Sequence, residues 1–474
     1  MSKIQEVRDY INALAISFGA KVGQEHGNSY IERKNIGDDA LNDNGAYFGF
    51  VEPEESTSGQ YHDFSLVIFP DKEDKSYLIC LGIGSLGFKN DYELATYPGV
   101  RRLFKSLVSE NGYCKSDFTD IETSLPKSFT GKPELSHLKS TIIRYTKFLP
   151  VCEIVNKPTS EEGKKVIAAF TAAYARLRNW PNNKEHRKAV EIALSAFEKK
   201  NVSNQFDEVI ELMTDRKFVI LQGPPGTGKT RLAKKLADGI RAKVFFTQFH
   251  AETSYSDFIY GLRPNTASNT LLYQDAYGIF YNAIQHALNT EDDVVLIIDE
   301  INRANLANVL GPVFYLFEHK MEDSDVEIEI APGLKINKLP NNFYVIGTMN
   351  TADRSLAVVD FALRRRFAWY TVSPQPIGGK SSKKETEIDD INSFYNEDYN
   401  AIDSIFNWYA SSDELSLQPG QGYFIASNDE EMTARIKYEI FPLIKEYLQE
   451  GLLRSAKEEF NTYFMNRISL SLVD

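Results

Sequence analysis

Apolar positions near the start of the chain, Ile4, Val7, Ile11 and Leu14, recur at helical spacing and predict an amphipathic helix. Apolar runs at residues 46–51, 64–69 and 77–81, separated by polar turns, predict strands. Together they describe an α+β N-terminal domain over residues 1–155. The polar stretch Pro158-Thr159-Ser160-Glu161-Glu162 puts Thr159 and Glu162 at capping-box spacing, so a helix is expected to begin there. Val166, Phe170, Ala173 and Leu177 mark its face, and Trp180-Pro181 ends it, because proline lacks the amide hydrogen that a continuing helix needs. A second helix is predicted over residues 185–199, and the pair reads as a helical linker, 156–204, bridging two domains.

From Phe218 the pattern changes. Short apolar strands at residues 218–221, 244–246, 294–298 and 343–346 alternate with amphipathic helices, which predicts an α/β fold with a parallel sheet covered by helices on both faces, residues 205–376. Residues 377–384 read as a flexible connection, and 377–474 as a mostly helical C-terminal lid.

Composition narrows the function classes. Hydrophobic residues make up 42% of the 474 and charged residues 25%, as in chains that bury ordinary cores. No run approaches the roughly 20 apolar residues that span a bilayer, and residues 11–20 lack the basic lead of a secretion signal. A cytoplasmic protein without a membrane partner is therefore expected. Cys80, Cys114 and Cys152 are odd in number and form no CxxC pair, so they are expected as packed thiols. The seven histidines are scattered, and no structural metal is expected. A net charge of −13 repels polyanions, so any nucleic-acid surface must be local. Arg101, Arg102 and Lys105 form one candidate cluster, although a few cations at a helix start are more often a solvated face.

The chemistry is concentrated after Phe218. Gly223-Pro224-Pro225-Gly226-Thr227-Gly228-Lys229-Thr230 matches GxxxxGK[ST] between a strand and a helix, the context in which backbone N–H groups cradle phosphates. There Lys229 would reach the β- and γ-phosphates and the Thr230 hydroxyl would ligate Mg2+. The strand 294–298 runs into Asp299-Glu300, at the sheet edge where ligands of such folds bind. Asp299 would hold Mg2+ through water and Glu300 would activate the attacking water. The strand from Phe343 ends in Thr348-Met349-Asn350, whose amide either positions water or γ-phosphate or caps the next turn. Arg364-Arg365-Arg366 repel one another unless anions meet them, and a phosphate bound by a neighbouring subunit is a natural partner.

This set resembles the AAA+ ATPase superfamily, and within it the McrB family. Asp299-Glu-Ile-Asn-Arg-Ala-Asn-Leu306, Met349-Asn-Thr-Ala-Asp-Arg-Ser355 and Asp360-Phe-Ala-Leu-Arg-Arg-Arg-Phe367 look like its signature blocks. Phe249–Phe258, Gly261–Pro264 and Tyr438–Tyr447 add to the match, which covers about residues 205–474. The resemblance implies a homo-oligomeric, hexameric ring that hydrolyses GTP rather than ATP with Mg2+. It also implies a separate McrC-like nuclease subunit and an N-terminal domain that selects DNA, often through a modified cytosine. By resemblance Asn350 is a sensor, with Asp353 and Arg354 beside it, while Arg303 and Arg364 to Arg366 are candidates for contacts across the subunit boundary. Which of the three consecutive arginines acts stays open. Residues 70–75 hold acids too closely spaced for a nuclease centre, so cutting is expected from the partner. The alternative reading is a MoxR-like, ATP-dependent chaperone acting on a protein client, which the acidic balance favours.

Overall fold

The computed structural model describes residues 3–472 apart from 24–26, 118–122, 196–204, 265–271, 319–326, 353–360, 378–384 and 388–391. The chain divides into two compact units, Met1–Asn201 with Asn407–Tyr409, and Val202–Phe406 with Ala410–Asp474.

Unit 1 is built on β1 (Ile31–Asn35), β2 (Tyr47–Val51), β3 (Phe64–Phe69), β4 (Ser76–Ile83), β5 (Gly112–Cys114) and β6 (Val151–Asn156), in the order β1-β2-β3-β4-β6-β5. Every neighbouring pair is antiparallel. Alternation along the strands splits the side chains between two cores. Leu66, Ile68, Ile79 and Leu81 pack with residues of the helices Lys3–Ser17 and Glu161–Leu177. Leu78, Cys80, Cys152 and Ile154 pack on the other face with Phe129, Leu135, Leu138 and Ile142. Covered on both faces, β4 is buried along its whole length, which accounts for its nearly unbroken apolar run. Cys80 and Cys152 are buried free thiols opposite one another on β4 and β6, and Cys114 is partly buried.

Two expectations about this region change. The helix Glu161–Leu177, read from sequence as part of a linker, is a core helix of unit 1, with Ala168, Ala169, Ala172 and Ala173 buried. Its small residues let the backbone approach the sheet closely, and an alanine-rich face is a weak periodic signal. Its N-cap is Ser160, whose hydroxyl accepts from Gly163 N–H, and not Thr159 one residue earlier. The second helix spans Lys184–Ser195, and residues 196–199 of the expected element lie outside the described residues.

At the end of the long helix, Arg178 anchors the unit. Its guanidinium is 6% exposed, donates to both Asp91 oxygens at 3.0 and 2.7 Å and to Phe64 O, and pairs with Glu52. Burial pushes the Glu52 carboxyl above its usual range while Arg178 pulls it back. Removing one partner of such a group leaves the others uncompensated in a poorly solvated place, at a cost of about 3–5 kcal/mol. Arg178→Ala is expected to destabilise unit 1 by that amount, read as an earlier urea transition of the full chain.

Unit 2 contains β7 (Phe218–Gly223), β8 (Lys243–Gln248), β9 (Tyr260–Pro264), β10 (Tyr273–Tyr277), β11 (Val294–Asp299), β12 (Ile328–Ala331), β13 (Leu334–Ile336), β14 (Phe343–Asn350) and β15 (Ala368–Thr371). Five form a parallel sheet in the order β15-β7-β14-β11-β8. Val219, Leu221, Val295, Ile297 and Ile346 meet Val209, Met213, Ala233 and Leu236 in one core. Phe218, Ile220, Leu296, Ile298 and Val345 join Phe280, Ala283 and Ile284 in another. The α/β core with helices on both faces is thus as the sequence predicts. Edge strand β15 and the antiparallel hairpins β9–β10 and β12–β13 were not anticipated. Exposed polar residues such as Arg263, Gln274 and Asp275 deprive the first hairpin of an apolar alternation.

The lid is mainly helical, with Asn396–Tyr409, Asp429–Arg435, Phe441–Gln449 and Lys457–Ile468, and adds a small sheet of β16 (Glu385–Glu387), β17 (Ser393–Tyr395) and β18 (Ile425–Ala426). The expected flexible connection falls, from residue 378 to 384, outside the described residues. Among the described residues no helix is long and apolar enough to cross a membrane.

Candidate nucleotide-binding site

Parallel register brings three chemistry-bearing segments to one edge of the sheet. Asn350 pairs with Gly223 across β14 and β7, and Ile298, just before Asp299, pairs with Gly347 across β11 and β14. The phosphate-loop motif leaves β7 and enters the helix Lys229–Gly239. Gly226 and Gly228 take left-handed conformations at φ 78° and 81°, where a Cβ is disfavoured. The helix thereby starts with its first-turn N–H groups available to an anion. The hydroxyl of Thr227 donates to Pro224 O at 2.9 Å, which leaves its backbone N–H as what it offers a ligand.

Lys229 is 7% exposed and curls back over the loop, donating to Gly223 O at 3.0 Å and Pro224 O at 2.7 Å. Burial lowers its pKa to about 8, opposed by Glu300 and Asp299. The site therefore holds a desolvated cation facing two acids that are already engaged elsewhere.

Asp299 Oδ1 accepts from the hydroxyls of Thr230, at 2.7 Å, and Thr348, at 2.6 Å. The Thr348 hydroxyl in turn accepts from Glu300 N–H at 3.2 Å. Glu300 stands at φ 53°, ψ 46°, an uncommon conformation for a residue with a side chain and one that clusters at functional sites. Asn350 Nδ2 donates to Glu300 Oε1. Glu300 Oε2 is buried, lies 3.3 Å from Arg303 Nε and accepts no hydrogen bond. A carboxylate held on one oxygen, with the other unsatisfied, is arranged to accept a proton or a hydrogen bond from a small molecule such as water.

The predicted residues from Gly223 to Thr230, with Asp299, Glu300 and Asn350, thus converge, and Arg303 joins them within the same chain. The arginine run divides. Arg366 is 8% exposed, pairs with Glu318 and stacks 4.2 Å from the centre of the Phe314 ring. Arg364 and Arg365 are exposed, Arg365 lying 2.6 Å from the same Glu318 and Arg364 5.5 Å from the Trp369 ring centre. Arg366 is thus buried against its own chain, in contrast to the exposed Arg364 and Arg365. Asp353 and Arg354 lie outside the described residues. Sequence reasoning missed Thr348, whose bridging role follows only from the pairing of β11 with β14. It also missed lid residues 418–423, where a Gln-Pro-Gly-Gln-Gly run inside a helical segment was the available signal.

Residues 218–367 match the model of the AAA domain (dynein-related subfamily). The chain is 44% identical to the type IV methyl-directed restriction enzyme EcoKMcrB subunit of Escherichia coli (strain K12), over 35% of this chain and 38% of that protein. Unit 2 thus contains a segment that matches an AAA domain and is similar to part of the McrB subunit. The chain is also 29% identical to the type II restriction enzyme BsuMI component YdiS of Bacillus subtilis (strain 168), over 38% of this chain and 63% of that protein. It thus spans less than two thirds of either relative. Among solved structures, the RuvB Holliday junction branch migration motor of Thermotoga maritima aligns with 40% of this chain and 49% of its own at 21% identity, with a TM-score of 0.23.

Losing the Lys229 ammonium would remove a charge-assisted contact to any triphosphate held by the loop. Lys229→Ala is expected to weaken nucleoside-triphosphate binding roughly 100-fold by titration calorimetry. The nucleotide-free melting temperature should stay level or rise, since a desolvated cation is gone.

Proposed function

We propose that the chain is a nucleotide-hydrolysing motor of a modification-dependent DNA restriction system, with GTP as its substrate in preference to ATP. The observation that carries hydrolysis is the Glu300 carboxylate, clamped through Oε1 by Asn350 with Oε2 unsatisfied, beside the buried Lys229. In this reading the loop N–H groups and Lys229 hold the β- and γ-phosphates, Glu300 orients the attacking water and takes its proton, and Asn350 holds Glu300 in place.

Thr230 and Asp299 present hard oxygens 2.7 Å apart, a donor set that suits Mg2+. Thr230 and Asp299 would hold the ion, which would supply neutralisation of phosphate charge. Asp353, in the signature loop after Asn350, is assigned to the same catalytic set by resemblance. Arg364 and Arg365, exposed at the end of one helix, serve the pocket of an adjoining subunit in a homo-oligomeric, hexameric ring, where an arginine in trans accelerates phosphoryl transfer by roughly 10³–10⁵.

The names of the two relatives, a methyl-directed restriction enzyme subunit and a restriction enzyme component, support the restriction context. An McrC-like nuclease subunit as partner, and unit 1 as the part that meets DNA containing a modified cytosine, follow from the resemblance. Guanine preference rests on kinship alone, because the phosphate loop touches only what GTP and ATP share. Side-by-side hydrolysis assays should show GTP turnover that rises when an McrC-type subunit is added. Turnover of ATP alone, indifferent to that subunit, would replace this reading by the protein-remodelling one. Glu300→Gln should retain nucleotide binding and lose about 10²–10⁴-fold in phosphate release.

A further inference from the structure

Lid residues 420–423 lie against the phosphate loop and bond to its carbonyls. Gly420 N–H donates to Pro225 O at 2.9 Å and Gly422 N–H to Gly226 O at 2.8 Å. The Gln421 side chain adds a third bond, from Nε2 to Thr227 O at 2.9 Å. Its other amide atom, Oε1, accepts from Gln375 N–H at 3.3 Å, which fixes which end faces the loop.

The contact is close enough to dictate residue type. A Cβ on Gly420 would stand 2.2 Å from the Gly226 carbonyl carbon, and one on Gly226 would stand 2.8 Å from the Tyr423 ring. The segment is tied onward to the lid helix Asp429–Arg435 by Arg435 Nη1, which donates to Gly422 O at 3.0 Å. Just before it, Ser416 O accepts from the Thr351 hydroxyl at 3.0 Å, and Thr351 N–H donates to Gly223 O, also at 3.0 Å.

The three carbonyls that the lid engages are chemically special. Each shares a peptide group with the next residue's N–H, so Pro225, Gly226 and Thr227 C=O belong to the same peptides as Gly226, Thr227 and Gly228 N–H. In a loop of this pattern those N–H groups are the ones that meet phosphate oxygens. Hydrogen bonds in series polarise one another, by about 10–30% per bond. A donor on the carbonyl side makes the N–H on the far side a stronger donor, and holds the peptide plane in its anion-binding orientation.

We propose that lid residues Gly420 to Tyr423 set the strength of the anion cradle through its carbonyls, with Gln421 as a positioning residue, so that lid position and triphosphate affinity are coupled. This rests on the nucleotide-binding reading of the loop and adds a control element to it. In the full chain, Gln421→Met removes the third donor at nearly constant size, and Gln421→Glu replaces it with an acceptor facing Thr227 O. Binding of GTP, ATP and inorganic triphosphate is measured by competition for the site, with the nucleotide-free melting temperature as a check on folding.

Gln421→Met should weaken inorganic triphosphate and the preferred nucleotide by the same factor, about 3- to 10-fold, Gln421→Glu by more, and neither should shift the melting temperature appreciably. A loss confined to the nucleotide, sparing inorganic triphosphate, would mean the segment acts on base or ribose and would overturn the proposal. So would unchanged affinities in both variants while Lys229→Ala weakens binding roughly 100-fold, with the site itself left standing. Unchanged binding in Lys229→Ala would instead remove the nucleotide site, and this inference with it.

Discussion

A buried ammonium whose hydrogen bonds go to carbonyls sits at the centre of the site in unit 2. Among the described residues Lys229 makes no ion pair, and its two hydrogen bonds go to loop carbonyls, so its charge is only partly compensated. Desolvation drives its pKa down to about 8, the sign expected of a cation short of solvent and counter-charge. Left-handed glycines on one side and a helix start on the other add further positive potential at the same spot. Such a site is poorly satisfied until an anion with several charges occupies it, and a triphosphate meets that requirement.

The nearby acids are kept from satisfying the lysine themselves. Asp299 is turned to the hydroxyls of Thr230 and Thr348, and Glu300 is turned to Asn350 and Arg303. Two adjacent carboxylates on one strand end would ordinarily point to opposite faces. The left-handed turn at Glu300 breaks that alternation, and Thr348 receives its backbone N–H, so the strained residue is held by the neighbouring strand. The positions of both acids are therefore consequences of the β11–β14 pairing as much as of their own sequence.

That dependence sets what was legible beforehand. The octapeptide Gly223 to Thr230 announces its conformation, because glycine at fixed offsets between strand and helix has few other uses, and the apolar strands 218–221 and 294–298 carry their own burial. Thr348 and Gln421 have no such local mark. Each matters through one bond made to a segment distant in sequence, and a hydroxyl or an amide is common enough in any loop to pass unnoticed. The helix Glu161–Leu177 misled for a related reason: alanines that pack tightly against a sheet look, in one dimension, like the neutral filler of a linker. Edge strand β15 is only four residues long, Ala368–Thr371, and follows directly on a charged run, so it carries little apolar pattern of its own.

The arginine run itself shows how the fold resolves a conflict that sequence only poses. Three consecutive guanidiniums would repel, yet burying one of them lets a single carboxylate and one ring absorb the cost. Arg366, against Glu318 and Phe314, fixes the end of the helix Phe361–Arg366 to the body of unit 2. With that end fixed, Arg364 and Arg365 are exposed on a restrained backbone, one alongside Trp369 and the other still within reach of Glu318. Under the proposed role in an adjoining subunit's pocket, a cation held in advance loses less side-chain freedom on contact. The buried arginine thus supplies the rigidity, and the exposed pair keeps the charge available.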